Sequence, residues 1–275
     1  YMGGDASIVQ AARVSYGIGT KTVNEDRGLI RYLMRHAHTT PFEMVEMKFH
    51  LKMPIFVARQ MIRHRTASVN EYSGRYSIMP DEFYVPEPEH VSLQSRTNRQ
   101  GGGELVEPER AAEVVALIEN EQRVVREGYE KMLEWDIRRE LARVNLGVAQ
   151  YTEWYWKNDL HNIFHFLRLR LDDHAQYEIR VYAEAMARIV KAVAPVAYEA
   201  FEDSVLDAQR FSGLELEALR RLLGERRDGW PSEDEVTEAL PEAWRQRGAD
   251  GALKRHRERD EFLAKLEQLE RFERR

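Results

Sequence analysis

The clearest secondary-structure signal in the sequence is the alternating run Val45-Glu46-Met47-Lys48-Phe49-His50-Leu51. Apolar and polar side chains alternate along this run. This period of two predicts a β-strand with one face in the core and the other face in water. The regions on both sides of the strand have helical patterns instead.

The helix before the strand is expected to end near residues 35–38, because the Thr40-Pro41 pair favours extended backbone. Asp5 is expected to cap a short helix at the start of the chain. Residues 83–85 are predicted as a short strand, and the Pro-rich polar segment 86–103 as a long surface loop. Further helices are predicted after Pro54 and over residues 108–139, 159–171, 177–194 and 195–210.

The composition describes a protein with a highly charged surface. Of 275 residues, 43% are hydrophobic and 32% are charged, and the formal net charge is -6. An acidic balance argues against a dedicated nucleic-acid-binding protein, because phosphate backbones attract basic surfaces. The sequence has no cysteine, which excludes disulfides, thiolate metal sites and cysteine nucleophiles. No apolar run approaches a membrane span and no signal peptide opens the chain, so we expect a cytoplasmic protein.

A dense polar stretch follows the strand and the helix after it. It reads Arg63-His64-Arg65-Thr66-Ala67-Ser68-Val69-Asn70-Glu71-Tyr72-Ser73-Gly74-Arg75-Tyr76-Ser77. Planar guanidinium groups suit phosphate, and Ser73-Gly74-Arg75 adds a hydroxyl group and a backbone that a ligand can approach closely. The stretch predicts a site for a phosphorylated ligand, with the Ser73 hydroxyl on phosphate, because no G-x-S-x-G elbow marks it as a nucleophile. The alternative is an ordinary exposed polar loop, since charged runs are usually solvated.

A second polar and aromatic region covers residues 143–180. His161 and His165 are four residues apart on a predicted helix, which is metal-ligand spacing, but Asn162 stands where a zinc protease helix carries its catalytic Glu. We therefore predict no metal and expect these histidines to be satisfied polar residues or contacts of an organic ligand. Arg170 lies between leucines, and from spacing alone it is equally well a structural ion-pair partner.

Four separated motifs resemble those of the flavin-dependent thymidylate synthases, in that family's order. The run from Arg63 to Ser73 resembles the family signature R-H-R-x(7)-S. The other motifs are Arg35-His36-Ala37-His38-Thr39-Thr40-Pro41-Phe42-Glu43, Pro54-Ile55-Phe56-Val57-Ala58-Arg59-Gln60, and Leu167-Arg168-Leu169-Arg170 with His174-Ala175-Gln176-Tyr177-Glu178-Ile179. Several motifs in order are more specific than one short pattern. Because the resemblance stops near residue 211, we predict a synthase domain over residues 1–211 and a charged helical extension over residues 212–275.

The resemblance implies a fold, a reaction and an assembly. The implied fold is α/β, of the α+β kind, with an antiparallel-type sheet flanked by long helices. The implied enzyme is a methyltransferase that converts dUMP to dTMP by reductive methylation, with 5,10-methylenetetrahydrofolate as the carbon donor. FAD is the implied cofactor and NADPH its reductant. The family resemblance further implies a homotetramer whose active sites lie where subunits meet. From the acidic charge and the lack of a long apolar run, we expect no nucleic-acid or membrane partner.

The resemblance also implies roles for individual residues, position by position. The implied flavin contacts are Thr40, Arg63, His64, Arg65, Glu71, Asp159, Leu160, His161 and His165. The residues implied to hold dUMP are Gln60, Arg63, Glu71, Tyr72, Ser73, Gly74, Arg75, Arg143 and Arg170. Some family members carry Asn, Arg and Asn at three positions of the patch 159–165, so this chain departs from them there.

The missing cysteine agrees with this resemblance. The better-known thymidylate synthase attacks uracil with a cysteine, whereas a flavin route needs no protein nucleophile and leaves the protein to bind, orient and supply charge. Arg170 is implied to be catalytic and to face the uracil ring. It would stabilise negative charge at N3 and O4, because an arginine stays protonated.

Two other hypotheses stay open from the residues alone. One is a nucleic-acid-binding module, in which bases stack on aromatic side chains beside a cluster of arginines. Its residues would be Arg63, Arg65, Arg75, Tyr151, Trp154 and Tyr155. The other is a metal-dependent hydrolase that uses His161 and His165.

Overall fold

The computed structural model describes residues 1–14, 23–95 and 102–209, together with positions 240, 244–246, 260, 262 and 263. For residues 23–25 this description covers the backbone alone. The chain forms two compact units, Tyr1–Ala208 and Gln209–Arg275. In the second unit the ring centroids of Trp244 and Phe262 lie 6.0 Å apart. Most of the charged helical extension predicted over residues 212–275 falls outside the described residues, and that domain boundary stays a prediction.

Helices and short strands alternate along the first unit. Its helices are α1 (Asp5–Arg13), α2 (Val23–Arg35), α3 (Thr40–Glu43), α4 (Ile55–Met61), α5 (Pro108–Glu134), α6 (Arg139–Ala142), α7 (Leu160–Arg170), α8 (Tyr177–Val193) and α9 (Pro195–Phe201). Its strands are β1 (Glu46–Pro54), β2 (Ser68–Glu71), β3 (Ser92–Gln94), β4 (Gly102–Leu105) and β5 (Tyr151–Asp159). A π-helical turn, Glu202–Leu206, continues α9. Within the described residues, no helix combines the length and the apolar character that crossing a bilayer requires.

An antiparallel three-stranded sheet lies at the centre of this unit, in the order β1-β5-β2. Strand β5 is the middle strand, and its Trp156 lies opposite Phe49 of β1 and Val69 of β2. Strands β3 and β4 form a separate antiparallel pair. Small antiparallel sheets combined with helices confirm the predicted α+β class.

The alternation that predicted β1 is confirmed by the burial of its side chains. Met47 and Phe49 are buried, whereas Lys48 and His50 are exposed. The buried face of the sheet packs against α7, where the ring centroids of Trp156 and Phe166 lie 5.8 Å apart. Helices α8 and α9 add to the same core. Burying each large apolar side chain contributes about 1.5–3 kcal/mol to folding, so this core holds the sheet in place.

Several local predictions are wrong. No strand forms over residues 83–85, where only Phe83 makes an isolated bridge, to Gln150. Pro41 lies in the first turn of α3 and does not extend the chain, because the N–H that proline lacks has no intrahelical partner at that position. The segment 86–103 is not simply a loop, since it contains the 3-10 turn Pro88–His90, all of β3 and the start of β4. The helix predicted over residues 195–210 changes to π-helical geometry after Phe201 and does not continue past residue 206.

Asp5 caps a different helix from the predicted one. Its carboxylate accepts hydrogen bonds from the backbone N–H groups of Val196 and Ala197, each across 2.9 Å, at the start of α9. The first N–H groups of a helix lack intrahelical acceptors, and a negative charge there also interacts favourably with the helix dipole. Asp5 therefore connects the beginning of the chain to the start of α9.

Candidate functional site

The polar signature stretch runs along one edge of the sheet. It begins after α4, passes through His64 in a turn, forms the edge strand β2 and ends in a turn over residues 73–77. All four residues of β2 are exposed. The backbone pairing of β2 with β5 therefore holds a row of polar side chains at the surface.

A first group of predicted site residues surrounds His64. Its ring is 9% exposed and packs edge-on against the ring of Phe166, with 4.9 Å between centroids, and against that of His165 at 5.8 Å. The Nε of Arg170 donates a hydrogen bond to Nε2 of His64 across 3.3 Å. A ring nitrogen that accepts a hydrogen bond carries no proton. The resemblance assigned His64 to the flavin and Arg170 to the uracil ring, and the structure brings these two side chains into contact.

The environment of this group keeps His64 neutral. Burial lowers the pKa of His64 to about 4, and the neighbouring Arg170 and His165 act in the same direction. Partial desolvation of its otherwise exposed ring also lowers the pKa of His165, and the neighbouring Arg168 and His161 act in the same direction. Burial lowers the pKa of the Arg170 guanidinium as well, but an arginine starts from so high a value that it stays charged.

Three further predicted residues lie on the chain beside this group. Arg63 and Arg65 are exposed on either side of His64, and neither forms an ion pair with another residue in the described ranges. Two guanidinium groups without carboxylate partners are available to an anionic ligand. The side chain of Gln60 donates to the side chain of Gln176, the residue that precedes α8.

A second group forms around Gly74 in the turn after β2. A Cβ atom at Gly74 would lie 2.7 Å from Sδ of Met79 and 3.1 Å from Cδ of Arg143. A side chain at position 74 would force Met79 to shift and would crowd Arg143. Arg75 forms an ion pair with Glu140 at 3.2 Å, and both of these side chains lie at the surface. The structure therefore brings Arg143 beside Ser73-Gly74-Arg75, as a phosphate site would require.

Hydrogen bonds fix the turn that carries this second group. The carbonyl of Ser73 accepts from the N–H groups of Tyr76, at 3.1 Å, and Ser77, at 3.0 Å. The hydroxyl of Tyr72 donates to the carbonyl of Ile78 across 2.8 Å. The Tyr129 hydroxyl accepts from the N–H of Met79 across 3.0 Å. In the described part of the chain no hydrogen bond joins Ser73 to a histidine, so the geometry offers no base for a serine nucleophile.

Glu71 lies between the two groups, at the end of β2. The hydroxyl of Thr152, which is 4% exposed, donates to Oε1 of Glu71 across 2.7 Å. The next residue, Tyr72, donates its backbone N–H to the carbonyl of Glu153 across 2.7 Å. Both the side chain and the backbone of the strand end are thus held by β5.

The two groups are anchored at different points of β5. Near the first group, Asn158 of β5 donates to the Thr66 hydroxyl across 3.3 Å, and near the second, Glu153 accepts from Tyr72. Five residues of an antiparallel strand span about 17 Å. Within one chain the signature therefore provides two separate clusters of cationic side chains.

The predicted flavin patch lies where β5 meets α7. Asp159 caps α7 by accepting from the N–H of Asn162 across 2.9 Å. Leu160 is fully buried, and its N–H donates to the carbonyl of Val45, so neither its side chain nor its amide is available to a ligand. His161 is partly exposed and His165 is exposed. Thr40, also exposed, opens α3, which contacts α7 through Phe42 and Phe164.

The geometry does not favour the two alternative hypotheses. Across the described residues, no three side chains of His, Cys, Asp or Glu come close enough together to hold a metal ion. Trp154 is 2% exposed, so it cannot stack on a base of a bound nucleic acid. Tyr155 is 47% exposed, but its ring already stacks on His50, with 4.7 Å between centroids.

Sequence reasoning missed the strand that holds the site together. It interpreted residues 151–159 as part of a region of candidate functional side chains and predicted no strand there. The signal was present, because Thr152, Trp154, Trp156 and Asn158 alternate along β5 and are all buried. This period of two was hidden by the aromatic Tyr155 on the opposite face. Thr152 and Asn158 were consequently not recognised as the residues that hold Glu71 and Thr66.

A cavity of about 200 Å³ lies beside the second group. Its walls are Lys52, Tyr72, Pro80, Glu82, Tyr151, Thr152 and Glu153. Lys52 and Glu82 form an ion pair at 2.5 Å on one side of it. Burial raises the pKa of Tyr151, whose hydroxyl therefore stays protonated at neutral pH. The cavity adjoins Tyr72, the residue that follows Glu71.

A known protein family and several known proteins are similar to the part of the chain that carries the candidate site. The sequence model of a family described as "Thymidylate synthase complementing protein" matches residues 1–196. A flavin-dependent thymidylate synthase of Ruegeria pomeroyi is 59% identical over 227 residues, which cover 81% of this chain and 75% of the relative. A second, from Wolbachia pipientis wMel, is 57% identical over 223 residues, covering 81% of this chain and 78% of the relative.

A solved structure supports the same assignment. The UMP/dUMP methylase PolB of Streptomyces cacaoi, bound with 5-Br dUMP, superposes with a TM-score of 0.69 at 33% identity, over 74% of this chain and 93% of that chain. The family match over residues 1–196 includes the first group around His64, the second group around Gly74, strand β2 between them and the patch at α7. The chain therefore belongs to the flavin-dependent thymidylate synthase family.

Proposed function

We propose that this protein converts dUMP to dTMP, with 5,10-methylenetetrahydrofolate as the carbon donor and FAD, reduced by NADPH, as the source of electrons. The observation that carries this proposal is the division of one signature stretch into two cationic groups, Ser73–Arg75 with Arg143 and His64 with Arg170. One group suits a phosphate and the other suits a ring that gains negative charge. A nucleotide presents both.

The group around Gly74 would bind the phosphate of dUMP. Arg143 passes over a residue without a side chain, and the Ser73 hydroxyl and the Arg75 guanidinium add further donors. The ion pair of Arg75 with Glu140 is exposed, and such pairs contribute little free energy. A doubly charged phosphate can therefore replace Glu140 as the partner of Arg75.

Arg170 would stabilise the reacting uracil ring. Its Nε is occupied by His64, so the two terminal nitrogens of the guanidinium remain for a ligand. Fixed donors aimed at developing charge are a major source of rate enhancement, because they need no reorganisation during the reaction. Arg170 would act on negative charge at N3 and O4 of the ring, without transferring a proton.

The residues predicted to hold FAD fit an anionic, ring-containing cofactor. Arg63 and Arg65 offer unpaired guanidinium groups for its pyrophosphate, and the α7 patch offers His161 and His165. Bound FAD would supply the electrons that reduce the transferred carbon to a methyl group. The sequence has no cysteine to attack the uracil ring, which is consistent with a flavin route.

We further propose a homotetramer in which one active site takes residues from different subunits. The points of β5 that anchor the two cationic groups of one chain lie about 17 Å apart, and this separation supports a site that draws on more than one chain. A second copy that presents His64 and Arg170 to the Ser73–Arg75 turn would complete the site. A cytoplasmic location completes the proposal, since a chain without cysteine suits a reducing compartment.

The visible absorption spectrum of the purified protein, recorded with and without dUMP, tests this function. We expect a flavin band that shifts when dUMP is added, and dTMP formation only when both the folate donor and NADPH are present. A protein that cannot take up FAD would contradict the proposal. A protein that takes up FAD but forms no dTMP under these conditions would contradict the reaction and leave the cofactor in place.

A further inference from the structure

The contact between Thr152 and Glu71 joins a buried residue to an exposed one. Thr152 is 4% exposed, while Glu71 is at the surface, and the hydroxyl of the first donates to Oε1 of the second across 2.7 Å. The two residues are 81 positions apart in the sequence. A surface carboxylate is ordinarily free to sample several rotamers, whereas this one is held from inside the protein.

The register of the sheet explains why these two residues meet. Glu71 of β2 lies opposite Trp154 of β5. Thr152 is two residues from Trp154 on the same face, which makes it the diagonal neighbour of Glu71, within reach of a long side chain. A threonine hydroxyl buried on a face that is otherwise mostly aromatic needs a hydrogen-bond partner. Glu71 provides that partner.

The hydrogen bond with Thr152 occupies one oxygen of the Glu71 carboxylate and leaves the other oxygen available to a ligand. Oε1 accepts from Thr152, and Oε2 takes part in no hydrogen bond with another residue in the described ranges. The backbone is held as well, because Tyr72 donates to the carbonyl of Glu153 across 2.7 Å. A group that is fixed before binding loses less conformational entropy when a ligand arrives.

We propose that Thr152 is a positioning residue, which holds the Glu71 carboxylate as the acceptor for the sugar hydroxyl of dUMP. This inference rests on the proposed function. Glu71 lies two residues before Ser73, the first of the residues proposed to bind the phosphate of dUMP. In a nucleotide the sugar is attached directly to the phosphate, so the sugar would lie close to Glu71. Thr152 also lines the cavity beside this position, together with Tyr72.

The test compares dissociation constants of two nucleotides for a matched pair of variants. Thr152→Val keeps the shape of the side chain and removes its hydroxyl, while Thr152→Ser keeps the hydroxyl. The nucleotides are dUMP and 2′,3′-dideoxyuridine monophosphate, which lacks the 3′-hydroxyl, and binding is followed by calorimetry on the flavin-loaded protein. Glu71→Ala, alone and combined with Thr152→Val, measures whether the two side chains act together.

We expect Thr152→Val to weaken dUMP binding about tenfold, because a charge-assisted hydrogen bond is lost at the acceptor. Binding of the dideoxynucleotide should change less than twofold, Thr152→Ser should bind dUMP within about threefold of the wild type, and Thr152→Val should add little to Glu71→Ala. Equal weakening of both nucleotides would overturn the inference, because it would indicate a general disturbance of the sheet.

The remaining outcomes also decide the matter. Unchanged dUMP binding by Thr152→Val would overturn the inference while leaving the proposed function intact. If Thr152→Val does not fold, Glu71→Ala at the exposed end of the pair decides, since it should weaken dUMP and spare the dideoxynucleotide. Wild-type protein that binds no dUMP would overturn the proposed function and the inference together.

Discussion

The Nε of Arg170 donates to Nε2 of His64 across 3.3 Å, and this contact ties a charged side chain to a neutral imidazole in the core. The acceptor nitrogen is available only while the ring is unprotonated. Burial lowers the pKa of His64 to about 4, so the ring stays neutral throughout the physiological range. Protonation would place a second positive charge against Arg170.

The lowered pKa of His64 predicts that the protein becomes less stable as the pH is lowered. Between about pH 6.5 and pH 4 the unfolded chain binds a proton at this residue that the folded chain does not, so the free energy of unfolding decreases as the pH is lowered through that window. The loss attributable to His64 is on the order of 3 kcal/mol at pH 4. Urea unfolding of the wild type and of His64→Phe at pH 7 and pH 4 measures it. Equal losses in both proteins would contradict the prediction.

Replacing Arg170 should separate catalysis from cofactor binding. We expect Arg170→Ala to retain the flavin and to lower the rate of dTMP formation by about 100- to 1,000-fold, the usual cost of removing one fixed donor to developing charge. Single-turnover assays with saturating dUMP measure the rate. Arg168→Ala, two residues away on α7, is the matched control and should keep most of the activity. Full turnover by Arg170→Ala would remove this residue from the mechanism.

The crowding at Gly74 predicts opposite effects of two glycine replacements. An added Cβ at Gly74 meets Sδ of Met79 at 2.7 Å and Cδ of Arg143 at 3.1 Å, so Gly74→Ala should cost about 1–3 kcal/mol and weaken dUMP binding. Gly128 lies within α5 with nothing near its Cβ position, and Gly128→Ala should stabilise the protein by about 0.5–1 kcal/mol. Denaturant unfolding gives both values. A stabilised Gly74→Ala protein would contradict this prediction and would mean that Met79 and Arg143 can both move aside freely.

The contact of Asp5 with α9 predicts a loss of stability without a loss of binding. Asp5→Ala removes the acceptor of two backbone N–H groups and should lower the free energy of unfolding by about 1–2 kcal/mol. Asp5→Asn keeps one side-chain oxygen and should lose less. Flavin content and dUMP affinity should stay at the wild-type level, because among the described residues Asp5 forms no hydrogen bond or ion pair with a member of either cationic group. Thermal unfolding and a flavin absorption spectrum test the two parts separately.

The spacing of apolar residues along the chain was enough to predict strand β1 and the long helices. The alternation from Val45 to Leu51 identified β1, and helical spacing identified the long helices around it. Pro41 misled the prediction, because the same residue that extends a chain can also begin a helix. Strand β5 was missed because Tyr155 placed an aromatic side chain on the solvent face, which broke the simple alternation.

The candidate site was predictable as a set of residues but not as an arrangement. The signature stretch indicated a phosphate ligand from its donors alone. Nothing local indicates that Thr152 reaches Glu71, that Gln60 reaches Gln176, or that Arg143 crosses Gly74. Those contacts depend on strand register and helix packing, which link positions far apart in the sequence.

The separation of the two cationic groups along β5 has a genetic consequence. An Arg143→Ala chain keeps its His64 and Arg170, and an Arg170→Ala chain keeps its Ser73–Arg75 turn with Arg143. Under the proposed assembly each site would draw the two groups from different copies, and a cell that expresses both defective alleles would then assemble some sites with no defect. Two alleles that each abolish thymidylate synthesis would then complement each other, and their mixture would support growth where neither does so alone.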